Sequence, residues 1–390
     1  MDTQALQGLK VIELGQLIAG PFAAKTLADF GADVIKIEPP EGGDPLRKWR
    51  LLREGSSVWW EVSSRNKRSV CADLRHPEGQ QLVRRLAAEA DVLIENFKPG
   101  TLEGWGLGWD ELHALNPRLI MLRMSGYGQT GPYAGKPGFG LLAEAMGGLR
   151  HLTGEPGRVP VRTGVSIGDS IAALHGVIGV LLALQHRHSS GEGQMVDCAL
   201  YESVFNLMES LLPEYDAFGV VRERAGSALP GIAPSNAYRC LDQGQGGGYV
   251  LIGGNGDSIY RRLMQAIGRD DLGCDPELAH NDGRARRSAE LDAAIEAWTL
   301  QRPVDEVIAT LEAAGVPVGK AYTAADIAHD PQYLARGMVL QVQDRNGLPL
   351  KVPGIAPKLS ATPGAIRHPA PRLGEHTQEV GDGKRWPGRE

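Results

Sequence analysis

The sequence predicts an α/β fold, an open Rossmann-like parallel sheet accompanied by a second, smaller α+β domain. Three observations carry that prediction. Short apolar strands alternate with amphipathic helices through the first third of the chain, the pattern of successive β-α-β units. The length of 390 residues exceeds what a single hydrophobic core usually serves, so two domains are expected. The alternation then loosens over residues 225–234 into Gly, Ser, Ala and Pro, beyond which strands and helices resume in a different order.

Lys10-Val11-Ile12-Glu13-Leu14 reads as the first strand. A helix follows, opened by Pro21 and closed by Gly31, with Phe22, Leu27 and Phe30 near one face. Asp33-Val34-Ile35-Lys36-Ile37 is the second strand, and so short a crossover implies parallel pairing. A helix over 77–90, the strand Val92-Leu93-Ile94, a helix over 109–115 and a strand over 119–124 continue the series. Beyond the linker, Tyr249-Val250-Leu251-Ile252 and helices near 259–267, 289–300 and 303–314 suggest the smaller domain. The tail from Gly337 is rich in Pro and Gly, lacks a helical period, and is expected to return to the first domain. The resulting division is 1–224 for the first part of the large domain, 225–330 for the small one and 331–390 for the return.

Composition narrows the function. The chain is 42% hydrophobic and 23% charged, with a net charge of −6 and no clustering of Lys and Arg, which gives no reason to expect a nucleic-acid partner. Cys71, Cys198, Cys240 and Cys274 form no CxxC pair, so free thiols in a reducing compartment are expected, and with no signal-peptide pattern at the N-terminus the reading is cytoplasmic. The longest apolar run, 171–184, is too short to span a bilayer and contains His175. No metal site is expected: His186 and His188 lack ligand spacing and read as solvated residues of a helix end.

Asp169 is the most informative residue. It stands in Gly164-Val165-Ser166-Ile167-Gly168-Asp169-Ser170, just ahead of the apolar run, which reads as a buried helix. Orphan backbone N–H groups and the helix dipole can hold a carboxylate there, and the small residues before it let a substrate approach the backbone. A plain N-cap role for Asp169 or Ser170 is the alternative. The same segment matches G-x-S-x-G, the hydrolase nucleophile elbow, with Ser166 as nucleophile and His376 as a possible base. Glu38 ends the second strand where a dinucleotide fold places its ribose-binding acid, but the first β-α turn, Gly15-Gln16-Leu17-Ile18-Ala19-Gly20, is not G-x-G-x-x-G.

Taken together, several segments resemble the class III CoA-transferases, the family that includes formyl-CoA transferase and, as a divergent branch, alpha-methylacyl-CoA racemase. They are Val11-Ile12-Glu13-Leu14 with Ala19-Gly20-Pro21, then Gly31-Ala32-Asp33-Val34-Ile35-Lys36-Ile37-Glu38, Gly43-Asp44 and Asn66-Lys67-Arg68-Ser69. Glu95-Asn96-Phe97-Lys98-Pro99-Gly100, Ser125-Gly126-Tyr127-Gly128, Gly168-Asp169, Gly191-Glu192-Gly193-Gln194 with Asp197, and Leu373-Gly374-Glu375-His376-Thr377 complete the series, in order and along nearly the whole chain.

The resemblance implies CoA transfer between an acyl-CoA and a carboxylic acid, with Asp169 as the catalytic nucleophile and CoA as substrate rather than bound cofactor. It implies CoA contacts at Gln16, Arg75, Asn96, Phe97, Lys98 and Phe139, and an acyl pocket at Ile18, Trp49, Trp59 and Gly231. Core packing is the competing role for the two phenylalanines and the tryptophans, and solvated surface charge for Arg75 and Lys98. It also implies a homodimer whose two chains thread through each other. Departures sharpen the reading. Ile18 replaces a glutamine of the oxalate- and formate-type relatives, and Leu229-Pro230-Gly231-Ile232 replaces their polyglycine loop. Lys136-Pro137 stands where the racemase branch has a histidine, which disfavours two-base racemisation. A longer dicarboxylate acceptor is therefore expected, with Arg47 and Arg53 as candidate cations for its remote carboxylate. The rivals are an acyl-CoA racemase or epimerase, a serine hydrolase using Ser166, and a non-catalytic acyl-CoA-binding protein.

Overall fold

The computed structural model describes residues 4–241, 248–382 and 386. The chain divides into two compact units: 1–150, 162–220 and 331–390 form the larger, and 151–161 with 221–330 the smaller.

The larger unit is built on six parallel strands: β1 (Lys10–Glu13), β2 (Asp33–Glu38), β3 (Lys67–Cys71), β4 (Val92–Glu95), β5 (Ile120–Ser125) and β6 (Met195–Ala199). Their spatial order is β3-β2-β1-β4-β5-β6, so the order reverses between β1 and β4. This is the doubly wound arrangement, in which a crevice opens at the carboxyl ends of the two strands flanking the reversal.

Side chains alternate between the faces of the sheet and build a core on each. Val11, Val34, Val92, Ile120 and Leu122 pack with Ala23, Ala24 and Leu27 of α1 (Ala19–Asp29) and with the buried side of a later long helix. Ile12, Ile35, Leu93 and Met121 face the other way, against Val83 and Leu86 of α2 (Pro77–Ala87) and Leu112 of α3 (Trp109–Leu115). Every one of these positions is at most 1% exposed, as expected for parallel strands covered on both sides.

Two sheet strands escape the apolar pattern of the sequence. Strand β3 begins Lys67-Arg68-Ser69, yet all three are buried. Its cations are neutralised by partners from distant segments: Lys67 by Glu13 at 2.7 Å, and Arg68 by Asp33 and, at 2.8 Å, Glu379. Strand β6 is the other edge and contains Asp197.

After β5 come α4 (Gly140–Met146), the long α5 (Ile167–Ser190) and α6 (Leu200–Phe205). Helix α5 starts four residues before the apolar run and ends at Gly191, whose φ of +81° forms a left-handed C-terminal cap. It is not buried on all sides. Ala172, Ala173, Val177, Val180 and Ala183 face the sheet, while Leu174, Ile178, Leu181 and Leu182 are 44–66% exposed. The tail returns as a hairpin, β10 (Val339–Gln343) and β11 (Pro349–Pro353), and is then stitched to β3: Gly374 N donates to Ser69 Oγ at 2.9 Å and Cys71 N to Thr377 Oγ1 at 2.9 Å.

The smaller unit has an antiparallel sheet of β7 (Ser235–Arg239), β8 (Tyr249–Gly253) and β9 (Val318–Lys320), with β8 central. Helices α7 (Asp257–Ala266), α8 (Ser288–Thr299) and α9 (Val304–Ala313) close its core around Tyr238, Val250, Leu263, Ile295 and Val307. All four cysteines are unpaired.

Candidate active site

A cavity of about 930 Å³ opens in the larger unit beyond the carboxyl ends of β1, β4, β5 and β6. Gln16, Ile18, Trp49, Trp59, Asn96, Phe97, Phe139 and Asp169, all singled out from sequence, line this one space.

The turn after β1 forms one wall. Gln16 N donates to Asn96 Oδ1 and Asn96 Nδ2 donates back to Gln16 O, both at 2.8 Å, which clamps the β1 turn to the β4 turn across the strand reversal. The clamp requires small neighbours, since a Cβ at Gly15 would lie 3.2 Å from Asn96 Oδ1 and 3.1 Å from Gly20 Cα. Leu17 has a φ of +64°, a left-handed conformation that leucine rarely adopts. Asp44 holds it there by accepting the Leu17 N–H at 3.0 Å.

Beneath this turn lies a buried ionic network. Lys36 Nζ contacts Glu13 (2.8 Å) and Asp44 (2.9 Å) and donates to Gly15 O (2.7 Å). Lys67 Nζ contacts the other oxygen of Glu13 and donates to Pro21 O. Burial alone would lower the Lys36 pKa, but Asp44 and Glu13 outweigh it and hold the ammonium above its ordinary value. For Lys67 burial dominates and brings the pKa down to about 8.

The opposite wall carries Asp169. It sits in the first turn of α5, half-buried, with Gly140 of α4 pressed against it. A Cβ at Gly140 would fall 2.1 Å from Asp169 Oδ2, so only glycine leaves room for the carboxylate. The backbones of Gly126 and Gly138 also touch, a Cβ on Gly126 falling 2.7 Å from Gly138 Cα, and this contact brings Phe139 and Gly140 over the end of β5. Position at a helix start suggests a carboxylate stabilised as an anion, yet the balance runs the other way. Burial, followed by the nearby carboxylate of Glu144, pushes the Asp169 pKa up to about 6, against its own backbone N–H and Arg162. Such a group is ionised at neutral pH but little stabilised, a suitable state for a carboxylate nucleophile.

Other residues singled out from sequence lie elsewhere. Arg75 is exposed and chelated by Asp73 at 2.6 Å, and Lys98 is exposed on the turn after β4; neither lines the cavity. Gly231 belongs to the smaller unit, where its carbonyl accepts from Asn281 Nδ2. The two arginines expected to meet a remote carboxylate are otherwise engaged. Arg47 is buried, paired with both oxygens of Glu38 at 2.8 Å and stacked 3.7 Å from the Trp60 ring. Arg53 donates to Pro349 O. The cations that do line the cavity are Arg50 and Arg162, neither apparent from sequence. Glu38 is likewise consumed by Arg47 and by Ser69 Oγ, which donates to it at 2.6 Å, leaving it no role as a ribose acceptor.

The residues ahead of Ser166 form no strand, and its Oγ accepts from Arg162 Nη2 at 3.2 Å. His376 lines a different cavity and accepts from Ser69 N, so the serine and histidine are not brought together. Phe139 is 67% exposed within the active cavity, whereas Phe97 also packs edge-on against Trp105 at 5.5 Å. Trp49 and Trp59 lie 6.0 Å apart, tilted, as an aromatic corner.

The sequence matches the profile of CoA-transferase family III over residues 6–377. The chain belongs to that family. As a family III CoA-transferase it is an enzyme that takes CoA thioesters as substrates. It is 50% identical to the succinyl-CoA–D-citramalate CoA-transferase of Chloroflexus aurantiacus over 376 residues, covering 96% of this chain and 92% of that one. It is 43% identical to the succinyl-CoA–L-malate CoA-transferase beta subunit of the same organism, covering 97% and 93%. Among solved structures, a CaiB/BaiF family protein from Brucella suis superposes with a TM-score of 0.84 at 39% identity, covering 97% of this chain and 98% of the other. The cavity at the strand reversal, with Asp169 on its wall, is the candidate active site of this family III CoA-transferase.

Proposed function

We propose that this enzyme moves CoA from succinyl-CoA to a small dicarboxylic acid, with Asp169 as the covalent carrier. One observation carries the reading: among the described residues Asp169 is the only carboxylate lining the cavity. Its carboxylate attacks the thioester carbonyl, forming an Oδ–C bond and breaking the C–S bond to release CoA thiolate. The thiolate attacks Cγ of the resulting anhydride, forming an aspartyl-CoA thioester and expelling succinate. The acceptor carboxylate attacks Cγ in turn and displaces thiolate, which then attacks the acceptor's acyl carbon and restores Asp169. Each step exchanges activated acyl groups of similar energy, so no net proton or outside energy is needed, only exclusion of water.

Gln16, Asn96, Phe97 and Phe139 suit the pantetheine arm, with amide hydrogen bonds and aromatic surface on one wall. Ile18, Trp49 and Trp59 give the acyl end an apolar wall, and Arg50 and Arg162 supply the cations for a second carboxylate. The named substrates of the relatives, citramalate and malate, have that form. Incubation with succinyl-CoA and citramalate, malate, glutarate, oxalate or formate, followed by mass spectrometry, tests the reading. New thioesters of the longer dicarboxylates are expected, with kcat/KM at least about tenfold above oxalate. Asp169→Ala is expected to lose about a thousandfold or more in kcat while remaining folded. Full activity in that variant refutes the carrier role, and an oxalate preference refutes the pocket assignment.

The exposed apolar side of α5 supports a homodimer, and the resemblance to interlocked relatives supports threading of the two chains. Leu174, Ile178, Leu181 and Leu182 on α5, and Phe205 and Leu207 at the end of α6, are exposed apolar side chains that a partner surface would cover. A second copy is the proposed cover, in a reducing, cytoplasmic setting that the four free thiols suit. Sedimentation is expected to show dimer at all dilutions, without folded monomer; a reversible monomer–dimer equilibrium at micromolar concentration contradicts threading.

A further inference from the structure

Glu144 is fully buried on α4, one turn beyond Gly140, and both residues face the start of α5. A Cβ on Gly168 would lie 3.2 Å from Glu144 Cγ and 3.2 Å from Gly140 O, so Glu144 packs directly behind the residue preceding Asp169. One carboxylate oxygen, Oε2, accepts from Arg150 Nε at 2.8 Å. The other, Oε1, is buried without a hydrogen-bond partner among the described residues. A strut linking α4 to Arg150 needs no second carboxylate behind the residue that precedes Asp169.

We propose that Glu144 is a positioning residue that makes ionised Asp169 the least favourable state of the catalytic cycle and so drives its conversion into covalent adducts. The inference rests on the carrier role assigned above to Asp169. In the free enzyme the charge of Glu144, packed behind Gly168, acts against that of Asp169. When Asp169 attacks the thioester carbonyl, an Oδ–C bond forms, the C–S bond breaks, and the negative charge departs on the CoA thiolate. When the thiolate then attacks Cγ, a C–S bond forms and the charge departs on the donor carboxylate. In both adducts the Asp169 side chain is uncharged, and its repulsion by Glu144 is gone. Arg150 pairs with Glu144 and holds its carboxylate in place. Arg162, from the segment before α5, and the Asp169 backbone N–H pull the opposite way and set the balance. Burial and Glu144 together account for the raised pKa of Asp169.

Two substitutions with opposite signs test this. Glu144→Gln keeps an oxygen for Arg150 but removes the charge, and is expected to move the acid limb of the kcat/KM profile down by about half a pH unit or more. The fraction of enzyme trapped as the CoA adduct after mixing with succinyl-CoA, read by intact mass, is expected to fall about threefold. Arg150→Gln leaves Glu144 less neutralised and is expected to move the limb up. Glu144→Asp is expected to restore both readouts in part. A purely structural role predicts lost activity without any directed shift, so an unmoved limb and adduct fraction in Glu144→Gln overturn the proposal. Should that variant fail to fold, an unmoved or lowered limb in Arg150→Gln overturns it equally. Absence of adduct on the wild-type enzyme, with transfer intact in Asp169→Ala, overturns the carrier reading and this one with it. An adduct on the wild type with no shift in either variant overturns the role of Glu144 alone.

Discussion

The two walls of the cavity treat buried charge in opposite ways. Under the β1 turn, Glu13, Lys36, Asp44 and Lys67 are almost wholly buried, and every carboxylate has an ammonium within 3 Å. On the α5 side, Asp169 has no ion pair among the described residues, and the charge that acts on it most is another carboxylate, Glu144. Charges that fix geometry are neutralised where they lie, because an unpaired ion in a low-dielectric interior is costly. Under the carrier role proposed for Asp169, the reacting charge is left under-compensated, so that forming a covalent bond relieves it. The first wall is scaffold, holding Leu17 in its left-handed conformation, and the second carries the proposed nucleophile.

The largest effect expected from this contrast is on stability, through Lys36. Lys36→Met removes one cation from two buried carboxylates and the donor from Gly15 O, and is expected to cost about 3–5 kcal/mol. The shift of the urea unfolding midpoint at pH 7.5 measures it. Adding Asp44→Asn to the same chain should recover part of the loss, since Asp44 is the carboxylate left uncompensated while Glu13 keeps Lys67. If Lys36→Met costs less than about 1 kcal/mol, in the range of an exposed pair, the network is not the scaffold described here.

The contrast also marks what the sequence could and could not reveal. Strands β1, β2 and β4 and helices α1 to α3 are legible because apolar period and Pro/Gly punctuation are local properties. Strands β3 and β6 are not: Lys67 and Arg68 look solvent-facing until partners far along the chain are known, and β6 is an edge strand whose Asp197 is exposed in the fold as well. Helix α5 misleads in the other direction: apolar on nearly all sides, it reads as fully buried, whereas one side of it faces outward in the single chain. Asp169 stands out through its glycine-rich approach and the family resemblance. Gly140 and Glu144 do not, because their importance lies in a packing contact between α4 and α5. The pair of glycines flanking Phe139, Gly138 and Gly140, is the one hint the sequence offers. Arg47 and Arg53 illustrate the same limit, being cations close to the pocket in sequence but committed to Glu38 and to Pro349 O in space.

A smaller effect probes the reactive wall directly. The Asp169 pKa rises from an ordinary 3.8 to about 6 in the fold, so the folded state favours the protonated form. The sign follows from proton linkage. Below about pH 4 the group is protonated in both folded and unfolded chains and has no net effect. As pH climbs from 4 to 6 the unfolded chain releases its proton more readily, and the wild-type fold loses stability; above 6 the loss is complete and constant. Asp169→Asn removes the ionisation, so it should be the more stable protein at pH 7.5, by about 2 kcal/mol or somewhat less given the group's partial exposure. That advantage should shrink through the window from pH 6 to 4 and vanish below it. Thermal unfolding of both proteins at several pH values gives the curve. An Asn variant less stable than wild type at pH 7.5 would mean that Asp169 is held as a favourable helix-capping anion, and the two walls would then differ in position only, not in how they treat charge.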